Sequence, residues 1–359
     1  MIAHPRCRGV AVEPLVSLRK LERLLGWDRE SLWRFAAHAG RYYRPFDRRR
    51  ERGTGKWRHI DNPTDDLKEL QQRIQRNILN KLPIPGTMMG AVPGRSIRNN
   101  ATRHLGRPML VTLDLRSCFP RTSDLKVFEA YRQRVGCSTQ IADLLTKLTT
   151  FQGRLPQGAP TSATLANLTL LPLHADLEAL MDSLGLIFSF YIDDIAFSGL
   201  RALGAIEPAI HLIHKHGHSV RREKIHRMPN CTPQKLTGVG VNRTVSVPPK
   251  RRDEIRQRIF ELAACELIPD YELRSVRGSI ANVKWLSPLQ GVVLERLAER
   301  YLPEVGTGES KPRTDEVRPC DNARRHRWAV TRQRVQRPRA DLDVSGITLA
   351  SAVDLSTAS

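Results

Sequence analysis

Apolar positions along this chain fall into two periodicities, and each predicts its own kind of element. Leu15, Leu18, Leu21, Leu24 and Leu25, followed by Leu32, Trp33 and Phe35, predict two short helices over residues 15–40. Leu67, Leu70, Ile74 and Ile78 draw one stripe along a further helix, opened by Pro63 and Thr64. Asp65 and Asp66 stand in its first turn, where the helix dipole favours carboxylates. Helical patterns follow near 123–134 and 139–149, and a long one runs from Ser162 to Leu184 with a kink at Pro172. Others lie near 202–216 and over 250–300. Shorter apolar runs predict strands. Met109 to Leu115 reads as a buried strand carrying one acid, Asp114. Ile187–Tyr191 and Ile195–Ser198 flank Ile192-Asp193-Asp194, a hairpin with acids at its tip. Lys235 to Val247 reads as further strands, and Leu155 to Pro160 as a Gly/Pro loop.

Charge sharpens this picture. The 359 residues are 40% hydrophobic, enough for a large core and more than one subdomain. Lys and Arg number 58 against 37 Asp and Glu, a net charge of +21, which points to a polyanionic partner. Arg41 to Arg58 concentrates eight of those cations around Gly53 and Gly55, predicting a turn between two basic strands. Beyond Leu302 the composition shifts, and seven arginines lie between Arg324 and Arg339 without an acid. Residues 303–359 are therefore expected to form a basic, flexible tail. The six cysteines form no CxxC pair, so neither a zinc site nor a disulfide framework is expected. No apolar run approaches the roughly 18 residues that span a bilayer. Met1 to Val16 lacks the apolar segment of a signal peptide, so a cytoplasmic protein that meets no membrane is expected.

The chemistry is carried by the acids. A carboxylate beside a buried apolar strand is costly unless a positive group meets it. Mg²⁺ meets it with oxygen coordination, usually shared with substrate phosphates. Two such ions about 4 Å apart can activate an attacking hydroxyl and stabilise a leaving oxygen. Taken alone, Asp-Asp at a turn is ordinary turn chemistry. Three boxes in order change its weight. Tyr191-Ile192-Asp193-Asp194 resembles the YxDD box of reverse transcriptases. Leu155-Pro156-Gln157-Gly158 followed by Ser162 resembles their LPQG box, and Asp114 to Phe119 resembles their box of an Asp with an aromatic five residues on.

The resemblance covers roughly residues 15–300 and implies the fold and the roles. The fold is α/β of the α+β kind: a right-hand polymerase with fingers, a palm of antiparallel sheet plus helices, and a helical thumb. Its expected parts are an N-terminal helical extension (1–40), fingers and palm (41–235), primer-grip-like strands and thumb (236–302), and the tail. Asp114 and Asp193 look like the principal ligands of two Mg²⁺ ions, or Mn²⁺ in their place, with Asp194 as the auxiliary carboxylate. Phe119 looks like the steric gate against a ribose 2′-OH. Gln157 and Gly158 look like the loop beside the incoming dNTP. Lys56 and Arg58 resemble the basic fingers strand that holds the triphosphate, and Lys224 the lysine near the leaving pyrophosphate. Leu236 to Asn242 resembles the segment supporting the primer end.

Asn100-Ala101-Thr102-Arg103-His104 fits the NAxxH pattern of retron reverse transcriptases. Leu236-Thr237-Gly238 stands where those enzymes usually have Val-Thr-Gly. Asn100 and His104 lie one helical turn apart, so both are expected to face one RNA element. The implied activity is copying a structured non-coding RNA into RNA-linked single-stranded DNA. The implied partners are that RNA as template and primer, its cDNA product, dNTPs and a separate effector in anti-phage defence. Two readings compete: another bacterial reverse transcriptase (diversity-generating, abortive-infection or group II-like), and a catalytically idle RNA-binding scaffold.

Overall fold

A computed structural model describes residues 13–49, 57–265, 267–304 and 309–310. The expected tail lies almost wholly outside these residues, as does Lys56. The chain divides into two compact units. One contains residues 1–255 with 277–296, the other 256–276 with 297–359.

The first unit begins with two short helices, α1 (Leu18–Leu25) and α2 (Arg29–Ala37). Ser17 and Asp28 cap them, accepting from the backbone N–H of Lys20 at 3.4 Å and of Ser31 at 2.8 Å. The basic block then folds as an antiparallel pair, β1 (Tyr43–Arg49) and β2 (Trp57–Pro63), with Arg48 opposite Arg58. Helix α3 (Asp65–Asn77) buries Leu67, Leu70 and Ile74 as its stripe requires. After α4 (Ile97–Arg103) comes β3 (Met109–Asp114). A short helix α5 (Cys118–Arg121) and α6 (Asp124–Ala130) follow, then one π turn over Tyr131–Val135, ended by Gly136 at φ 72°. The helix expected to run to 134 thus changes geometry four residues early. Helix α7 spans Thr139–Thr149.

The long helical pattern from Ser162 divides into α8 (Ser162–Thr169) and α9 (Leu171–Ser183), with Pro172 in the first turn of α9. Proline lacks the N–H a helix interior needs but loses nothing in a first turn, so the kink is resolved as a break. Strands β4 (Ile187–Tyr191) and β5 (Asp194–Ser198) form the expected hairpin. Helix α10 (Ile206–Lys215) and β6 (His226–Pro229) follow. Within Lys235 to Val247, read as strands, two short ones form, β7 (Lys235–Leu236) and β8 (Val239–Gly240). One antiparallel sheet runs in the order β4-β5-β3-β6. Helices and sheet share a core that includes Leu113, Leu115, Phe190, Ile195 and Phe197.

Helices α11 (Pro249–Ala263), α12 (Asp270–Leu286) and α13 (Pro288–Tyr301) follow. Parts of them build the second unit. There Arg258 pairs with Glu272 at 2.6 Å, and Phe260 meets Tyr301 edge-on at 5.4 Å. β9 (Ile268–Pro269) pairs with β10 (Glu309–Ser310). Among the described residues no helix is long and apolar enough to cross a membrane.

The expectation that Asn100 and His104 face RNA is corrected here. Both side chains are fully buried. His104 Nδ1 lies 2.8 Å from Ser198 Oγ on β5, and Nε2 lies 2.9 Å from Ser189 Oγ on β4. Asn100 Nδ2 donates to Thr237 Oγ1 at 3.4 Å. The pair therefore ties α4 to the sheet and to the segment following β7. Polar residues one turn apart share a face, but periodicity does not say whether that face meets solvent or two buried serines.

Burial pushes the His104 pKa down to about 3, with Arg103 and Arg107 adding to the shift. The unfolded chain takes up that proton below about pH 6.5. The stability tied to neutral His104 is thus full above that pH and lost progressively as pH falls toward 3. On dropping from pH 7.5 to 5.5, the wild type should lose about 1.4 kcal/mol more unfolding free energy than His104→Gln, read from denaturant melts. Equal losses in the two proteins would contradict the assignment.

Candidate active site

The register of one strand pair sets the site. β3 and β5 run antiparallel with Asp114 directly opposite Asp194, and the Leu115 N–H donates to Asp193 O at 3.0 Å. Opposed residues in such a pair lie about 4.5–5.5 Å apart at Cα. The hairpin tip that presents Asp193 is tightly held. Ile192 sits at φ 61°, a left-handed conformation unusual for a β-branched residue. Gly90 makes room for it, since a Cβ there would stand 2.6 Å from Ile192 Cγ1 and 2.9 Å from its backbone N. Asn167 Nδ2 donates to Gly90 O at 2.7 Å, and Met89 N–H to Phe190 O at 2.7 Å. Residues 87–90 thereby brace β4 and the turn that follows it.

Burial and mutual repulsion dominate the electrostatics. The Asp194 pKa is pushed up to about 6, first by burial and then by Asp193 and Asp114. That of Asp193 is raised by burial and by Asp114. Asp114 has two cationic neighbours: Lys224 Nζ at 2.7 Å from Oδ2 and Arg221 Nε at 3.2 Å from Oδ1. The Arg221 contact is misaligned, leaving Oδ1 without a hydrogen bond. Among the described residues no three acids, histidines or cysteines close into a ready-made metal cage. The donor set nonetheless fits a hard divalent cation. It offers carboxylate oxygens, one of them unsatisfied, in a setting where the acids resist ionising together.

A cavity of about 700 Å³ opens over these acids, and Arg58, Phe119, Gln157 and Lys224 line it with them. Phe119 is half-buried on α5, which starts after Ser117 turns the chain at φ 52°. The loop bearing Gln157 and Gly158 is fastened to β2: Asp61 N–H donates to Gln157 O at 2.8 Å, and Gln157 N–H to Asp61 Oδ2 at 3.2 Å. Seven of the positions expected around the acids and the nucleotide thus line one cavity, and an eighth, Gly158, lies in the loop beside it; Lys56 lies outside the described residues. Asn100 and His104 belong to the interior. Sequence reasoning passed over Arg221, three residues before Lys224, and Asp61 in the strand of Arg58. Gly90 left no signal, because the need for it arises only from the conformation of Ile192.

Residues 48–241 match the family described as reverse transcriptase (RNA-dependent DNA polymerase), more than half of the chain. The chain belongs to the reverse transcriptase family. Within it, retron Mx65 reverse transcriptase of Myxococcus xanthus is 32% identical over 70% of this reverse transcriptase and 62% of that protein. Retron Ec86 reverse transcriptase of Escherichia coli is 28% identical over 79% of this chain and 86% of the relative. Retron Se72 reverse transcriptase of Salmonella heidelberg is 27% identical over 83% and 82%. This reverse transcriptase thus spans under two thirds of the Myxococcus protein and most of the other two, and its likeness within the family is to retron enzymes.

Gly158 offers a local test. Its φ is 138°, and a Cβ there would meet Ile60 Cγ2 at 3.0 Å and Asp61 O at 3.1 Å. Gly158→Ala should cost about 1–3 kcal/mol of stability, as strained backbone does. It should also raise the KM for dNTP. A variant of unchanged denaturation midpoint and KM would show that the loop does not need glycine.

Proposed function

We propose that this reverse transcriptase is a retron-type RNA-directed DNA polymerase whose nucleotidyl transfer is centred on Asp114, Asp193 and Asp194. The observation that carries the reading is the cross-strand register of Asp114 and Asp194, with Asp193 at the adjoining tip, inside a cavity that also holds Phe119. The three carboxylates would hold two Mg²⁺ ions, or Mn²⁺. Such ions supply charge neutralisation at the transferring phosphoryl group and at its attacking and leaving oxygens. The chain's own residues do the rest. Arg58 and Lys224 bring positive charge to the cavity wall, where a triphosphate is attracted and the leaving pyrophosphate is balanced. Lys224 and Arg221 also orient Asp114 through their contacts with its two oxygens. Phe119 narrows the cavity where a ribose 2′-OH would stand. Gln157 and Gly158, fixed to β2, offer the incoming nucleotide a rigid edge.

The template assigned to the enzyme is a structured non-coding RNA, copied into RNA-linked single-stranded DNA in the cytoplasm, with a separate effector completing an anti-phage system. The net charge of +21 supports this reading, because A-form RNA is gripped mainly through phosphates and 2′-OH groups.

Asp193→Asn with Asp194→Asn should lower dNTP incorporation by about a thousandfold, on the order of 4 kcal/mol, while RNA binding persists. Primer-extension and filter-binding assays check this, and an active double variant would remove the assignment. Phe119→Val should relax discrimination against ribonucleotides, measured as the ratio of kcat/KM for dNTP and rNTP. An unchanged ratio would remove the gate. RNA affinity should fall roughly a thousandfold between about 50 and 200 mM salt, as expected where about six phosphates are neutralised. A flat salt dependence would place the surplus charge away from RNA.

A further inference from the structure

One buried acid near the cavity has no part in the proposed chemistry. Asp61 lies on β2, its side chain 2% exposed, within the basic strand that carries Arg58. A carboxylate in that position needs compensation. It is engaged from two sides. Oδ2 accepts the N–H of Gln157 at 3.2 Å, while the Asp61 N–H donates back to Gln157 O at 2.8 Å. Oδ1 lies 3.2 Å from His59 Nε2 and 3.7 Å from Arg154 Nη2, near enough for charge pairing though misaligned for a hydrogen bond. His59 in turn reaches across the hairpin, its Nδ1 2.9 Å from Asp47 Oδ1 on β1. Each ring nitrogen of His59 therefore faces a carboxylate oxygen. That setting favours the doubly protonated ring, and the Asp47 contact accordingly raises the His59 pKa.

These contacts form one connected path from β1 through β2 to the loop at Gln157. Gly158, the next residue, has no room to shift toward β2, since even a Cβ would press on Ile60 and the Asp61 carbonyl. The loop is thus clamped to the same strand that carries the wall arginine. Hydrogen bonds that end on a charged group are among the stronger ones in a protein. The Asp61 to Gln157 contact therefore has the strength to decide where the loop stands.

We propose that Asp61 is a positioning residue for nucleotide binding, holding the Gln157–Gly158 loop against the basic hairpin so that both sides of the nucleotide site keep one fixed spacing. It touches no reacting atom and acts through Gln157. His59 and Arg154 balance its charge, and Asp47 fixes His59. The hairpin and the loop consequently behave as one body. This inference rests on the polymerase reading, and it adds a specific division of labour. Removing Asp61 loosens the dNTP site while sparing the chemical step and the grip on template.

Steady-state primer extension on an RNA template tests it, using the full chain with dNTP varied. Asp61→Asn keeps the shape but loses the charge that His59 and Arg154 balance. Its KM for dNTP should rise about threefold to tenfold, with kcat within about twofold and template affinity unchanged. Asp61→Ala should raise KM further, and His59→Gln should raise it less than either. Thermal melts establish that each variant is folded; should the alanine variant not fold, the near-isosteric asparagine variant carries the test. A KM within twofold of wild type in Asp61→Asn would overturn the proposal. So would a loss confined to kcat, or a parallel loss of template affinity, since either places the residue elsewhere in the work. A wild-type protein that incorporates no dNTP on RNA would refute the polymerase reading itself, before any variant is compared.

Discussion

The structure turns on the pairing of β3 with β5, because that register sets two carboxylates face to face at the end of a buried sheet. Like charges directly opposed across strands are destabilising. Burial first, then Asp193 and Asp114, push the Asp194 pKa from 3.8 up to about 6, which sets a cost against its ionised form. The sign of the linkage is unfavourable at neutral pH. A carboxylate whose folded pKa is raised costs nothing below its unfolded value and costs the full amount above its folded one. The register survives because the rest of the strand outweighs that cost. Val111, Leu113 and Leu115, alternate residues on one face, are all buried, and a fully buried aliphatic side chain contributes about 1.5–3 kcal/mol. A one-residue slip would turn this set toward the opposite face, so the hydrophobic pattern holds the acids together against their repulsion.

That arrangement also explains which parts of the fold were legible in the sequence. Asp114 was readable because it breaks an apolar run, and Asp193-Asp194 because acids between two apolar runs read as a hairpin tip. Their meeting in space follows from an antiparallel register that no local pattern encodes; the family boxes supplied it. Pro172 was readable as a disturbance, though not as a clean division between α8 and α9. Asn100 and His104 were misread for a physical reason. A helix face with two polar residues looks solvent-facing, and only the serines at 189 and 198 on neighbouring strands make it an interior face. Arg221 and Asp61 were hidden by their surroundings. Each is one charged residue in a basic stretch, and its meaning comes from a partner about a hundred residues away in sequence: Asp114 for Arg221, Gln157 for Asp61.

The distribution of charge gives the site its direction. A protein of net charge +21 attracts a polyanion over its surface at large, and such attraction weakens with distance and salt. Specific placement needs the opposite sign at one point. The cavity provides it: Asp114, Asp193 and Asp194 line it together with Arg58 and Lys224. In the proposed reading the acids meet a divalent cation and the basic side chains meet the triphosphate that shares it. The same logic accounts for the clamp at Asp61. If the basic hairpin moved independently of the acid-bearing sheet, the spacing between the two signs would vary and this match would blur. Holding the Gln157 loop to β2 keeps that spacing constant, which is how a basic surface is made to select one substrate geometry from all the anions it attracts.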